Sequence, residues 1–454
     1  MAKFRLAVAA LVLAGALAVS GCGAAAPAQS AGSSPSAFAS QPGGTLRVSG
    51  FNPSDEVGKS RSDYASAQLS EVKIELDTTA FDPQKFAAQS AAGQVPDLVL
   101  VDRYLVATFA ARGLIVPLDA CFAQWGVDAD TQYYPATLTD VTYRDARYGI
   151  PQFFQASALL GNKRVMDQAG VKASDLDTAK PDQVIAAAKK MYRAGDGNPA
   201  LLGFDPDAPG STGLWFLAFG GGLYNDDGSP KLDDPANLAA LDWLKQLMDA
   251  QGGYPKVKSF KDTMDVFGNE NQYVKDQVGV QTWAQWYPNV LAASADEVSL
   301  EAIPIRDRDG QPIAVAGGTA FVIPKAAGNP SAACAWAVKA TSTDAWLAAG
   351  EARAQTVKKN KSIATGLTTG SPVADQAIRE RYVNPSGDAD FDQVIDTYYS
   401  ILASSRSLGS SPVGQQVKQE LDNAVVVALS GEKSTAQALA DAQAAAMRAW
   451  SQVK

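Results

Sequence analysis

Short apolar segments alternate with amphipathic ones near the start of the chain. Residues 45–50, 72–77 and 97–101 have the pattern of strands, and residues 55–70 and 81–92 between them have the pattern of helices. This order predicts a βαβαβ unit with a parallel sheet, in which ligands lie beyond the carboxyl ends of the strands. The residues at those ends are Phe51, Asn52, Thr78, Thr79, Asp102, Arg103 and Tyr104.

Residues 147–170 predict a chain that leaves one lobe and enters another. An extended run ends at Pro151, which fixes φ and removes a backbone donor where the run must bend. A second apolar strand follows at 159–162, and a short helix at 163–168 stops at Gly170. We expect the residues after the bend to face the gap between the lobes: Gln152, Phe153, Phe154 and Gln155.

The later part of the chain continues the same mixture of helices and strands. Helices are predicted at 182–194, 235–251, 330–339, 343–354 and 435–452, and strand-like runs at 279–283 and 317–324. Residues 302–305 are a candidate second crossing between the lobes. Residues 215–222 carry aromatic side chains into a glycine cluster, where the backbone can approach a ligand closely.

Aromatic rings and polar side chains occur together near the predicted strand ends. The rings are those of Phe153, Phe154, Trp215, Trp283, Trp286 and Tyr287, and the polar groups are those of Asp102, Gln152, Gln155 and Gln281. A sugar has an apolar C–H face that suits flat rings, and a belt of hydroxyls that suits amides and carboxylates. The pattern favours a sugar site, with core packing as the alternative for each single ring.

Composition limits the chemistry that this chain can perform. Its 454 residues exceed one hydrophobic core, so two domains are expected. The chain has no histidine, which removes the commonest general base and metal ligand. The net charge of −9 argues against nucleic acid as a partner. Phosphate-binding loops, cysteine–histidine metal motifs and G-x-S-x-G elbows are absent from the sequence, so we expect no cofactor and no metal.

The N-terminus predicts export and lipid anchoring. Lys3 and Arg5 precede an apolar stretch at 6–19 that ends in the sequence VSGC. Small residues before Cys22 resemble a bacterial lipobox, which predicts a signal peptide over 1–21 and a diacylated Cys22. Residues 22–43 then form a flexible tether of Ala, Ser, Pro and Gly. A plain secretory signal with an incidental cysteine is the alternative.

Two further cysteines, Cys121 and Cys334, would be exported with the rest of the chain. An oxidising compartment permits a disulfide between them. Two separate buried thiols are an equally good interpretation.

From about residue 44 onwards the chain resembles the extracellular solute-binding proteins of ABC importers, in the carbohydrate-binding group related to maltose-binding protein. The segments that carry the resemblance are AAGQVPDLVLVD at 91–102, ARGLIVPLDACF at 111–122, YGIPQFFQASALLGNKRVMDQAG at 148–170, GGGLYNDDGSPKLDDP at 220–235, FVIPKAAGNPSAACAWAVKATS at 321–342 and SGEKSTAQALADAQ at 430–443. The resemblance implies two α/β lobes joined by a three-segment hinge, with the ligand cleft between them. It places residues 44–149 and 303–345 in the N-terminal lobe, and residues 150–302 and 346–454 in the C-terminal lobe.

The resemblance also implies which residues contact the ligand. Asp102 or Arg103 matches the polar group after the third strand, and Gln155 matches a position that often carries a carboxylate in relatives. Trp215 and Trp283 match aromatic positions, and Gly317 and Gly318 match glycines that open a late first-lobe strand. The neutral amide at Gln155 departs from the acidic pattern, so a maltodextrin ligand does not follow. Gln152, Phe154 and Trp286 complete the predicted ligand site.

These observations predict a monomeric, lipid-anchored carbohydrate receptor on the outer face of a bacterial membrane. It would bind ABC permease subunits and perform no catalysis itself. A receptor for a polyamine, a peptide or iron on the same scaffold is one alternative. The adjacent Tyr398 and Tyr399 raise the question of iron, although their surroundings favour helix packing. A surface glycosidase is the second alternative, because sequence alone does not exclude a facing carboxylate pair.

Overall fold

The computed structural model describes residues 38–453. The predicted leader, Cys22 and most of the tether lie outside the described residues. Within residues 38–453, no helix has the length and apolar character needed to cross a membrane.

The described chain alternates strands and helices from one end to the other. The strands are β1 (Gly44–Ser49), β2 (Val72–Asp77), β3 (Leu98–Asp102), β4 (Thr142–Tyr143), β5 (Ala146–Arg147), β6 (Ile150–Pro151), β7 (Ser157–Asn162), β8 (Arg193–Ala194), β9 (Pro199–Asp205), β10 (Val278–Ala284), β11 (Leu300–Ile303), β12 (Ala314–Val315), β13 (Thr319–Val322) and β14 (Ser405–Arg406). The helices are α1 (Glu56–Ala67), α2 (Pro83–Ala91), α3 (Val106–Ala111), α4 (Asp119–Gln124), α5 (Ala129–Gln132), α6 (Pro135–Val141), α7 (Lys163–Gln168), α8 (Pro181–Met191), α9 (Thr212–Ala218), α10 (Pro235–Asp249), α11 (Tyr254–Lys261), α12 (Tyr287–Leu291), α13 (Pro330–Ala340), α14 (Thr343–Asn360), α15 (Pro372–Tyr382), α16 (Ala389–Ile401), α17 (Gly414–Leu429) and α18 (Thr435–Ser451). Short 3₁₀ turns occur at Arg103–Leu105, Ala173–Leu176, Ala292–Glu297 and Leu402–Ser404.

The first lobe is built on a five-stranded sheet in the order β2-β1-β3-β13-β6. β1 pairs in parallel with β2 and β3, which confirms the predicted βαβαβ unit. β13 pairs antiparallel with both β3 and β6, and so closes the sheet with a strand from much later in the chain. The carboxyl ends of the three parallel strands lead into Gly50, Thr78 and Asp102–Arg103.

The second lobe is built on another five-stranded sheet, in the order β11-β7-β10-β9-β8. β9 and β10 run in parallel, and β7 pairs antiparallel with both β10 and β11. Helix α16 packs against β11, and α17 and α18 pack against each other and against α10. The two lobes have separate large hydrophobic cores, as the chain length predicts.

Three segments connect the lobes. The first runs from β6 to β7, as predicted from the bend at Pro151. The second runs over residues 304–318, between β11 and β13. Residues 302–305 were predicted to be this crossing, but Ala302 and Ile303 are paired with β7 inside the second sheet, so the crossing begins just after them. The third crossing runs over residues 383–388, between α15 and α16.

The third crossing lies later in the chain than the predicted boundary at residue 346. Helix α14 packs against α1 of the first lobe, and α15 packs against α14. The guanidinium of Arg61 lies 3.6 Å from the ring centroid of Trp346, and Arg353 forms an ion pair with Glu56. These contacts place α14 on the first lobe, whereas the predicted division placed it in the second lobe.

A disulfide joins Cys121 and Cys334 within the first lobe. It connects α4 to α13, and both sulfur-bearing side chains are fully buried. The sequence left open a disulfide or two separate buried thiols, and the structure contains the disulfide.

Candidate functional site

The carboxyl ends of β9 and β10 form one wall of the candidate site. Because these strands are parallel neighbours, Asp205 and Gln281 lie side by side at their ends. The Gln281 amide donates to the Asp205 carboxylate at 3.0 Å, and Lys261 Nζ lies 2.8 Å from the same carboxylate. This buried network of hydrogen bonds and charges fixes the strand ends beneath the more exposed groups of the site.

Three aromatic side chains stand on these strand ends, and we call them the aromatic platform: Trp283, Trp286 and Tyr287. The rings of Trp283 and Tyr287 are stacked, with centroids 3.8 Å apart and planes 11° apart. Trp286 meets both rings edge-on, at 5.8 and 5.7 Å. The indole N–H of Trp283 donates to Gln281 Oε1, so its ring is fixed. Tyr287 is buried, whereas Trp283 and Trp286 are half-buried and keep accessible surface.

Asp102 contributes a carboxylate from the first lobe. It is exposed at the end of β3, and no hydrogen bond to it is found within residues 38–453. The side chain keeps contact with solvent, but partial desolvation by the surrounding protein raises the pKa of Asp102, and the positive charges of Arg103 and Lys418 oppose that rise. Lys418 belongs to α17 of the second lobe, where it forms an ion pair with Asp422. The charge interaction between Asp102 and Lys418 therefore spans the two lobes.

Asp207 brings a second accessible carboxylate to Lys418. Its backbone has φ of 55°, and its N–H donates to Asp205 Oδ1 at 3.0 Å. Burial, together with the nearby negative charge of Asp205, raises the pKa of Asp207 to about 6, against the opposing effects of Lys261, Ser211 and Lys418. Lys418 thus interacts electrostatically with a carboxylate of each lobe, and we call Asp102, Asp207 and Lys418 the cleft charges.

Arg103 has a structural position rather than the ligand contact that was predicted for it. Its side chain is fully buried and donates to Asp140 at 3.1 Å and to the Gly317 carbonyl at 2.7 Å. It also donates to the carbonyls of Phe153, Ala316 and Thr319. Asp140 in turn accepts a hydrogen bond from Ser407. Arg103 therefore ties the first two crossings to the first lobe, and its guanidinium has no accessible surface for a ligand.

Three other predicted contacts are also buried. Trp215 is fully buried in the second core, where its indole N–H donates to the Pro206 carbonyl at 2.8 Å. Phe154 is fully buried and stacks on Tyr134 at 4.8 Å. Gln152 is buried, and its side-chain oxygen accepts from Thr319. In this structure these side chains hold the crossing and the core together, and they do not line the cleft.

Gln155, Gly317 and Gly318 lie where the first two crossings meet. Gln155 and Gly317 exchange backbone hydrogen bonds of 2.8 and 3.1 Å, which pairs the crossing strands between the two sheets. Gly318 has φ of +138°, and a Cβ there would lie 2.2 Å from the Phe153 carbonyl and 2.7 Å from the Arg103 guanidinium. Glycine at 318 is thus required for the packing of Arg103 against the crossing. Of these three residues only Gln155 has a side chain, which is half-buried and therefore keeps accessible surface for a ligand.

A large cavity lies elsewhere between the lobes. It measures about 1190 Å³ and lies between the β4–β5 hairpin and the turn at residues 221–231, and Ser407 also lines it. The residues at the carboxyl ends of β1, β2, β3, β9 and β10 do not line it, and neither do the platform rings or the cleft charges. We place the candidate site at the cleft charges and the platform, because ligands of α/β sheets bind at the carboxyl ends of the strands.

Metal binding has no support in the described part of the chain. Within residues 38–453, no group of three or more carboxylates or cysteines has the proximity needed to hold a metal ion. The Tyr398 hydroxyl donates to the Trp283 carbonyl at 2.9 Å, and the Tyr399 hydroxyl donates to the Leu367 carbonyl at 3.2 Å. Both tyrosines lie on α16, as the helix interpretation predicted.

Sequence reasoning missed two of the three cleft charges. Asp207 follows the strand that ends at Asp205, so the rule that places ligands at strand ends could have found it. Lys418 gave no such signal, because it forms an ordinary pair with Asp422 four residues later on an amphipathic helix. Only the packing of α17 against the first lobe brings Lys418 towards Asp102.

Comparisons with known proteins agree with this architecture. The sequence pattern of the family described as bacterial extracellular solute-binding protein matches residues 61–364. No curated protein matches the chain. A structure of CpMnBP1 with mannobiose bound is similar to this chain with a TM-score of 0.70 and 22% identity, and the match covers 89% of this chain and 99% of that one.

Two further solved structures share the fold. An ABC substrate-binding protein from Listeria monocytogenes, in complex with cycloalternan, has a TM-score of 0.70 and 16% identity, with 90% of this chain and 99% of that chain covered. The GacH receptor of Streptomyces glaucescens, solved unliganded and with acarbose, has a TM-score of 0.65 and 18% identity, with 90% and 98% covered. At these identities the likeness establishes the two-lobed fold.

Proposed function

The chain belongs to the bacterial extracellular solute-binding protein family, and from that premise we propose that its solute is a carbohydrate, held in the cleft between the lobes for delivery to an ABC importer. The observation that carries this proposal is the aromatic platform beside the cleft charges. The accessible rings of Trp283 and Trp286 offer flat apolar surface to the C–H face of a sugar. Asp102, Asp207 and Lys418 offer acceptors and donors to its hydroxyls.

Binding and closure of the lobes are coupled in this proposal. Asp102 belongs to the first lobe, whereas Asp207, Lys418 and the platform belong to the second. A sugar that bonds to both sets of groups stabilises the closed arrangement over the open one, because only closure brings all of them within reach. The sugars bound to the related structures, mannobiose, cycloalternan and acarbose, support the choice of ligand class.

The remaining parts of the proposal concern location and partners. The family is extracellular, and we assign the anchoring step to acylation of Cys22, which lies outside the described residues. The receptor then acts as a monomer that hands its sugar to the permease subunits. It needs no cofactor and performs no catalysis in this proposal.

A thermal-shift screen tests the ligand class. The panel contains mono- and oligosaccharides, polyols, polyamines and ferric salts. A sugar present at one hundred times its Kd should stabilise the folded protein by about 2.7 kcal/mol. If only polyamines or ferric salts raise the unfolding temperature, the carbohydrate assignment is wrong.

A matched pair of tryptophan variants tests the site. Trp286→Ala removes an accessible platform ring and should abolish the shift caused by the sugar. Trp125→Ala removes another half-buried tryptophan, which lies on the first lobe at the end of α4, and should leave that shift unchanged. Equal effects of the two variants on sugar binding would remove the platform from the site.

A further inference from the structure

Phe267 exposes more of its side chain than any other large hydrophobic residue of the described chain. Its relative exposure is 71%, and the next most exposed is Val373 at 47%. A single exposed apolar residue is ordinary on a protein surface. Phe267 is different because its ring lies beside Trp286, with centroids 6.1 Å apart and planes only 15° apart.

The loop that carries Phe267 is held by the platform itself. The carbonyl of Val266, one residue earlier, accepts from the Tyr287 hydroxyl at 3.0 Å and from the Asn271 amide at 2.8 Å. The Asn271 amide also donates to the Tyr287 hydroxyl at 2.8 Å. Tyr287, which stacks on Trp283, therefore also fixes the backbone next to Phe267. The exposed ring of Phe267 thus lies on a loop whose backbone is held by hydrogen bonds.

The neighbouring polar side chains extend the same support back to the strand ends. The Gln272 amide donates to the Tyr287 hydroxyl at 2.7 Å and to Gln281 Oε1 at 2.9 Å. Gln281 then reaches Asp205 at the base of the site. A continuous set of hydrogen bonds thus connects the Phe267 loop with the cleft, and a preorganised apolar surface binds a ligand at lower entropic cost.

The platform and Phe267 form a cluster in which Trp286 lies beside the stacked pair of Trp283 and Tyr287 and also beside Phe267. Exposure in this cluster increases from the inside outwards. Tyr287 is buried, Trp283 and Trp286 are half-buried, and Phe267 is largely exposed. The spacing from Trp283 to Trp286 is 5.8 Å, close to the 6.1 Å from Trp286 to Phe267. A single sugar ring on Trp286 would leave the Phe267 face uncovered, so the cluster suits a longer chain of sugars.

We infer that Phe267 is an outer stacking position, so that the ligand is an oligosaccharide of at least two rings rather than a monosaccharide. This inference rests on the proposed function and specifies the length of its ligand. One sugar unit lies on the Trp286 side of the cleft, and a following unit places its C–H face on Phe267. Affinity then rises with chain length, because only the longer ligand covers the exposed ring.

The experiment compares ligand length in two variants. Isothermal titration measures the Kd of mannose, mannobiose and mannotriose, and of glucose, maltose and maltotriose. In the wild-type protein the di- or trisaccharide of at least one series should bind about tenfold tighter than its monosaccharide. Phe267→Ala should lose most of that advantage without weakening the monosaccharide, and Phe267→Tyr should retain it.

Val373→Ala is the control, since it removes another exposed apolar side chain, on α15. It should keep the full dependence on length, and urea unfolding should show that both alanine variants remain as stable as the wild type. The inference is overturned if wild-type affinity does not rise with length, or if Phe267→Ala keeps the wild-type rise. Those results leave the proposed function intact, whereas a protein that binds none of the sugars in the wider screen overturns both.

Discussion

Replacement of Arg103 separates a structural role from a ligand contact. The guanidinium is buried, pairs with Asp140 at 3.1 Å, and donates to three carbonyl groups of the first two crossings and to one at the start of β13. Removing one partner of a buried ion pair costs about 3–5 kcal/mol. The carbonyls of Phe153 and Gly317 also lose their donor. We therefore expect Arg103→Met to lower the free energy of unfolding by about 5 kcal/mol, near the upper end of that range.

Urea unfolding followed by tryptophan fluorescence measures this loss. With a denaturant slope of about 3 kcal/mol per molar urea, a loss of about 5 kcal/mol should lower the midpoint by about 1.7 M. Arg147→Met is the matched control, since Arg147 pairs with Asp119 and Asp130 at the surface. Exposed pairs contribute about 0–1 kcal/mol, so the control should barely move the midpoint.

A double variant isolates the pair itself. Arg103→Met combined with Asp140→Leu leaves no buried charge without a partner. Its loss should be smaller than the sum of the two single losses, by about 1–3 kcal/mol. The reasoning fails if Arg103→Met keeps the wild-type midpoint but binds the sugar found in the screen at least tenfold more weakly, because that pattern belongs to a ligand contact.

Three other changes test the remaining assignments. Trp215→Phe deletes the donor to the Pro206 carbonyl inside the core, so the free energy of unfolding should fall by about 1–3 kcal/mol. The calorimetric Kd for the sugar should stay unchanged. Weaker sugar binding at equal stability would show that Trp215 contacts the ligand. Burial raises the pKa of Asp375 from 3.8 to about 7, so the native state keeps a proton that the unfolded state releases, and stability should decline by a few kcal/mol as the pH rises from about 4 to about 7. Asp375→Asn should flatten that decline in urea titrations at several pH values, and an unaltered slope would contradict the assignment. Cys121→Ala with Cys334→Ala removes the bridge across 213 residues and should cost about 2–5 kcal/mol by urea unfolding, with sugar affinity preserved; undiminished stability would show that the bridge contributes nothing.

The first parallel strands and about half of the helices were accessible to sequence reasoning because they depend on local pattern. The βαβαβ start, the bend at Pro151 and the capped helices α13, α14 and α18 all follow from residues within one or two turns of each other. The family resemblance then supplied the two-lobed arrangement, which no local pattern contains.

The candidate site was less predictable because accessibility is a tertiary property. Trp215 stands beside a glycine cluster, but it lies on helix α9, whose faces are buried on nearly every side. Arg103 and Asp102 are neighbours in sequence, yet one points into the crossing and the other to solvent. Lys418 joins Asp102 from more than 300 positions away, so nothing in its local sequence marks it.

The course of the first sheet has a consequence for how the polypeptide is assembled. β13 lies between β3 and β6, although it is made after the entire second sheet. As the chain emerges from its amino end, β6 has no neighbour to pair with until roughly 170 further residues have appeared. In the second sheet β7 also waits, for roughly 115 residues, until β10 is made. Of the two large sheets, the one that is begun first is therefore completed last.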